Sequence, residues 1–246
     1  MCGRISLYSD PDYLARIFDA QLGPNVDADA RPSWNVPPTE SILAVADVAD
    51  TPSGGDGPEG LHRELGWYKW GLVPSGAKDP TVGSRMFNAR AETVASKPSF
   101  RSAFTARRVA VVADGFYEWR PGPGPKRPYY FTRADGRPLA LAGLWEPWWG
   151  GPDAGHAGDE PRPALRTCTV ITTGAGPDMG DIHHRMPVVL EDETLDEWLD
   201  PANGDKPELE SLLVPSAAGT LVHRPVGAAV GNVRNDGPEL IEPTGD

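Results

Sequence analysis

Cysteine is nearly absent from this 246-residue chain, which has only Cys2 and Cys168. Two thiols so far apart in sequence suggest neither a disulfide framework nor a zinc cluster. Histidine is scarce as well, with five, and no His, Cys or carboxylate cluster has ligand spacing, so neither a metal nor a cofactor is expected. No apolar run approaches the roughly 18 to 20 residues that cross a bilayer. The opening MCGRISLYSDPDY has neither a charged n-region nor an apolar h-region, so the chain is expected to stay in the cytoplasm, away from membranes. Positive charge is also in deficit: 23 Lys and Arg face 35 Asp and Glu, a formal net of −12. That balance argues at first sight against nucleic acid, because polyanion binding draws most of its affinity from Lys and Arg.

The distribution of charge argues the other way. From Arg85 to Arg137 there are eleven Lys or Arg against four Asp or Glu, a local excess of seven that leaves −19 for the rest. Such asymmetry permits one basic face, although a merely solvated Arg-rich surface fits the same count. Hydrophobic residues make up 39%, with eight Trp, enough for a substantial core.

The length suits a single domain spanning 1–246, interrupted by Gly/Pro-rich surface loops near 50–60, 121–128 and 150–163. Strand-like runs begin at Ser41, Leu65, Val109, Pro128, Leu139 and Thr167, and in the last of them Cys168 reads as a buried, inert thiol. Helices are expected in DPDYLARIFDA, DETLDEWL and PELESLL, where apolar residues fall on one face and acids occupy the first turn. The predicted class is α+β, with a strongly curved, mostly antiparallel, barrel-like β core flanked by a few helices.

Cys2 follows the initiator directly and is small enough for Met1 to be excised, which would expose a 1,2-aminothiol. The α-amine has a pKa of about 7.7 to 8.0, so a useful fraction is neutral and nucleophilic near pH 7. It can form a Schiff base with an aldehyde, and the adjacent thiol can then close a five-membered thiazolidine. Position two alone decides nothing, since many proteins carry a Cys there without a role. Gly3 permits close backbone approach and Arg4 suits a phosphate, and both add weight.

Five further segments combine polar groups with Gly, Pro and aromatics: RPSWNVPPTE (31–40), WGLVPSGAKD (70–79), FNARAET (87–93), ADGFYEW (113–119) and DIHHRMPVVL (181–190). With the initial MCGR and the closing VGNVRNDGPELIEP, they resemble the SRAP family, the SOS-response-associated peptidases or abasic-site-processing proteins. The resemblance implies a nucleophile at Cys2, an Asn holding the abasic sugar at Asn88, an acid/base carboxylate at Glu118 and a sugar-directed His at His183. It places Arg4, Asn35, Trp70, Arg90, Trp119, Thr172 and Arg185 along a DNA channel. The implied partner is an abasic site in single-stranded DNA or at a single-strand/duplex junction, met by a monomer. Two departures stand out: Gly76 where relatives usually carry Trp, and Trp34 where Tyr is common.

The chemistry is coherent without the family. An abasic deoxyribose is mainly a closed hemiacetal, so ring opening needs proton transfer, which His183 and a Glu118 flanked by Phe116, Tyr117 and Trp119 suit. Asp181 is a candidate to orient a histidine. Taken singly, Glu118 also reads as a solvent-facing strand residue, His183 as a satisfied loop histidine and Asn88 as a turn former. Three other activities compete with capture: an N-terminal-nucleophile peptidase using the α-amine as base, an abasic-site lyase, and a plain DNA-binding module.

Overall fold

The computed structural model describes residues 2–24, 26–49, 60–150 and 164–245; the loops expected at 50–60 and 150–163 lie almost wholly outside the described residues. The first third holds β1 (Ile5–Leu7), α1 (Pro11–Ile17), β2 (Gln21–Leu22), α2 (Val26–Asp29), β3 (Ser33–Val36), β4 (Ser41–Ala49) and β5 (Leu61–Trp70). The middle holds β6 (Asn88–Arg90), α3 (Ala91–Val94), α4 (Arg101–Ala106), β7 (Arg108–Ala113), β8 (Gly115–Arg120), β9 (Arg127–Arg133) and β10 (Leu139–Trp148). The remainder is β11 (Leu165–Gly174), β12 (Arg185–Pro187), α5 (Asp192–Leu199), α6 (Lys206–Ser211) and β13 (Leu221–Pro225).

Local sequence explains the helices. Asp10 caps α1 by accepting from the Tyr13 amide, with Pro11 in the first turn, and Asp205 caps α6 by accepting from the Glu208 amide. Helix α5 opens on a reciprocal pair in which Glu191 and Thr194 each bond the other's backbone, and it buries Leu195, Trp198 and Leu199.

The strands form two largely antiparallel sheets in one α+β domain, as the sequence predicts. The smaller runs β13-β9-β8-β1-β3. The larger runs β12-β11-β10-β7-β4-β5-β2, and a short parallel pairing of β11 with β5, Cys168 opposite Trp70, bends it into a ring. The chain leaves that closure through Gly71, at φ +143°, a backbone conformation open to glycine alone; a Cβ there would stand 2.6 Å from the Gly83 carbonyl oxygen. Apolar residues alternating along the strands feed one core inside the ring and another outside it, beneath the helices.

The run from Val109 to Trp119, read as continuous, is two strands in different sheets. Asp114 breaks it: its amide donates to the Ser6 carbonyl, and its carboxylate accepts from the amides of Tyr8 and Ser9. This corner matters, because it hands the chain from the ring to β8 and so places Glu118 in the smaller sheet.

Much of the expected basic face is consumed internally. Arg107 pairs with Glu146, Arg120 with Asp181, Arg133 with Asp135 and Glu191, and Arg137 with Asp192. Arg108 is 3% exposed and donates to five carbonyls, those of Phe104, Thr105, Trp198, Asp200 and Asn203. These oxygens crowd the C-terminal ends of α4 and α5, where helix dipoles concentrate negative charge, so the buried cation is satisfied without a carboxylate.

Candidate active site

Each sheet contributes two of the four residues expected to act on a sugar. In the smaller sheet, β1 pairs with β8, Ile5 opposite Phe116, and the Tyr117 amide donates to the Arg4 carbonyl, which draws Cys2 alongside Glu118. In the larger sheet, β11 takes β6 on one side, Val170 opposite Asn88, and β12 on the other, Gly174 opposite Arg185. The site forms where the two sheets meet.

Asn88 reaches across that junction, its Nδ2 donating to the Cys2 carbonyl at 2.6 Å. Its Oδ1 is buried and accepts no hydrogen bond among the described residues, so an acceptor stands open beside Cys2. Glu118 is 3% exposed, and its Oε1 lies 4.0 Å from Nδ1 of His183. That same Nδ1 is 3.0 Å from both the amide nitrogen and the carbonyl oxygen of Arg185. Whether it accepts from the amide or donates to the carbonyl depends on the tautomer, and either way the Arg185 backbone holds the ring. The ring of His184 stacks on that of His183 at 4.5 Å.

Cys2 is fully buried. Burial, above all, pushes its thiol well above the ordinary cysteine value, and the Glu118 charge pushes further, against smaller opposing pulls from the N-terminal ammonium and then the Arg4 amide. The sign is clear: near neutral pH the thiol stays protonated. Replacing Glu118 by Gln removes a negative charge from beside it and so lowers its pKa. We expect Glu118→Gln to speed iodoacetamide labelling of Cys2 in the folded protein several-fold, read by peptide mass spectrometry, with Cys168, raised by burial alone, as the internal reference.

The residues expected along a DNA channel differ widely in exposure. Arg90 is exposed and Trp119 partly so. Arg4 donates to Asn35 at 2.6 Å and to the Val230 carbonyl at 2.7 Å, with its guanidinium 5.8 Å from the Trp119 ring centroid. Trp119 packs with Trp34 against a third small apolar cluster and, by strand alternation, points away from Glu118. Asn35 is 3% exposed and anchors the C-terminal turn by donating to the carbonyls of Val230, Asn232 and Asn235; it is a brace rather than a channel surface.

Two of these residues are enclosed in the folded chain. Trp70 is fully buried at the ring closure, where its indole donates to the Phe87 carbonyl at 2.9 Å, so it has no face on which a base can stack. Thr172 is likewise fully buried and donates to the Ala89 carbonyl. Arg185 is held by Glu92 and by Thr172. Asp181 pairs with Arg120 rather than orienting a histidine; that task falls to the Arg185 backbone. Gly76 is exposed, and a Cβ there would meet nothing within 4 Å.

The model of the family described as SOS response associated peptidase (SRAP) matches residues 1–233. The chain belongs to the SRAP family. Its relatives include the abasic site processing protein YoqW of Bacillus subtilis (strain 168), 40% identical over 98% of this chain and 99% of that one. The abasic site processing protein YedK of Escherichia coli (strain K12) is 31% identical over 99% and 100% of the two chains. Similarity extends to the abasic site processing protein HMCES of Gallus gallus, 34% identical over 87% of this chain and 66% of that protein. Among solved structures, a protein from Bacteroides thetaiotaomicron superposes with a TM-score of 0.81 over 99% of this chain and all of that one. At 23% identity that likeness bears on the fold alone. Among the described residues of this SRAP chain, no group of three or more His, Cys, Asp or Glu is placed to hold a metal ion, and no helix is long and apolar enough to cross a membrane.

Proposed function

We propose that this SRAP chain captures abasic sites covalently, in single-stranded DNA or at a single-strand/duplex junction, through Cys2 freed by removal of Met1. The supporting observation is the convergence on Cys2 of groups distant in sequence: the Asn88 amide at 2.6 Å and Glu118, whose charge reaches the thiol, backed by His183. Similarity to proteins named for abasic site processing supports the same substrate.

The steps follow from the groups present. His183 and Glu118 move the protons that open the hemiacetal and present the aldehyde. The α-amine attacks that carbon, and the carbinolamine loses water to give an imine. The thiol sulfur then bonds to the imine carbon while its proton passes to nitrogen, closing the thiazolidine. A protonated imine carries positive charge that offsets Glu118, which eases sulfur attack at the stage where it is required. β-Elimination, the lyase route, competes only until the ring closes.

A peptidase is the competing reading, in which the α-amine would deprotonate a thiol that is buried beside Glu118. The test is intact-mass spectrometry after mixing purified protein with an oligonucleotide bearing one abasic site. The expected product equals the Met1-less protein plus the oligonucleotide less one water, formed without any reductant. A protein that retains Met1, or that gives no such mass, would end the proposal.

A further inference from the structure

The β8–β9 hairpin extends beyond the site with an arrangement that the chemistry at Cys2 does not require. Glu118 and Arg120 stand on the same face of β8, two residues or about 6.6 Å apart along the strand. Across the ladder Glu118 faces Tyr129 and Arg120 faces Arg127. Arg120 reaches back over that face to the Tyr129 hydroxyl at 3.4 Å, and the Arg127 guanidinium lies 5.9 Å from the Tyr129 ring centroid. Lys126 follows in the connecting loop, and Arg120, Lys126 and Arg127 are all exposed. Residues 120–127 contain no acid.

Two arginines directly opposite each other in an antiparallel pair destabilise it, and here a lysine lies next to one of them. In a protein of net charge −12, whose surface repels polyanions, three clustered cations on the Glu118 side of the site mark a place where anionic charge arrives. Asp181 supplies part of it in the free protein by pairing with Arg120, both groups being largely in solvent. Such an exposed pair contributes little, so a phosphate can replace the carboxylate.

We propose that Arg120, Lys126 and Arg127 form a backbone-phosphate subsite for the DNA segment flanking the lesion, so that the strand leaves the site along the tip of this hairpin. This rests on the reading that the site takes a DNA strand, and its test is independent of the covalent step. Affinity for an undamaged single-stranded oligonucleotide is measured by fluorescence anisotropy across a salt series for the wild type and for R120Q/K126Q/R127Q. A control, R16Q/K97Q/R101Q, removes the same charge from exposed cations elsewhere on the surface.

Each phosphate contact on a single strand contributes about 0.7 to the slope of log K against log salt. The hairpin variant is therefore expected to have a slope shallower by about 2, and the control is not. R120K/R127K, which keeps the charge, is expected to retain the wild-type slope. A hairpin variant with the control's slope, or a lysine variant that falls as far as the glutamine one, overturns the proposal. Failure of the abasic adduct to form, with the slope change intact, would instead count against the covalent reading alone.

Discussion

Cys2→Ala is expected to reduce the denaturation-resistant adduct with an abasic oligonucleotide by about two orders of magnitude or more, the scale on which loss of a positioned reactive group acts. The α-amine survives that change, so an imine still forms, but it hydrolyses when the protein is denatured. Borohydride added before denaturation should restore a band for Cys2→Ala by reducing the imine to a stable amine. Cys2→Ser should behave similarly, because oxygen closes the corresponding ring less durably than sulfur. Denaturing gels run with and without reductant read all three proteins. An adduct of undiminished yield from Cys2→Ala without reductant would mean that a different nucleophile does the work.

Arg108→Ala is expected to damage the fold severely, costing about 3 kcal/mol or more, since each buried acceptor left without a donor costs about 1 to 3 kcal/mol. Five carbonyl oxygens at the ends of α4 and α5 lose their donor together, and the Trp198 ring loses the guanidinium whose carbon lies 5.8 Å from its centroid. In a chain of this size 1 kcal/mol shifts the melting temperature by about 2 to 4 °C, so a fall of about 10 °C is expected by calorimetry. Arg108→Lys should recover only part of it, since one ammonium cannot fork to carbonyls on two helices. A shift under about 2 °C for Arg108→Ala would show that water satisfies those oxygens just as well.

How much of this was legible in advance differs from residue to residue. Helices α1, α5 and α6 were, since Pro11 and the acidic first turns are local signals and the apolar faces are periodic; α2, α3 and α4, each six residues or fewer, gave no such signal. Cys2, Asn88, Glu118 and His183 were singled out only through an ordered set of motifs; no periodicity could show that Asn88 bonds the Cys2 carbonyl. Trp70 illustrates the limit. An indole beside a Gly/Pro-rich loop reads equally as a stacking platform or as core, and what decides it is the pairing of β5 with a strand almost a hundred residues on. The basic stretch misled for the same reason: the carboxylates that neutralise Arg107, Arg120, Arg133 and Arg137 include Glu146, Asp181, Glu191 and Asp192, which lie outside it. Asp114, an acid inside a hydrophobic run, was the one local sign that the run is two strands.

The contact that closes the ring joins Trp70 to Cys168, and the remaining site residues follow only at His183. During synthesis Cys2 is therefore among the first residues to leave the ribosome, long before the segments that enclose it exist. If Met1 is removed in that interval, as the proposed capture chemistry requires, the aminothiol would be unscreened by packing and open to any small aldehyde. Enclosure of the sulfur as β11 docks would end that exposure, which makes completion of the fold the step that converts a promiscuous reagent into a selective one.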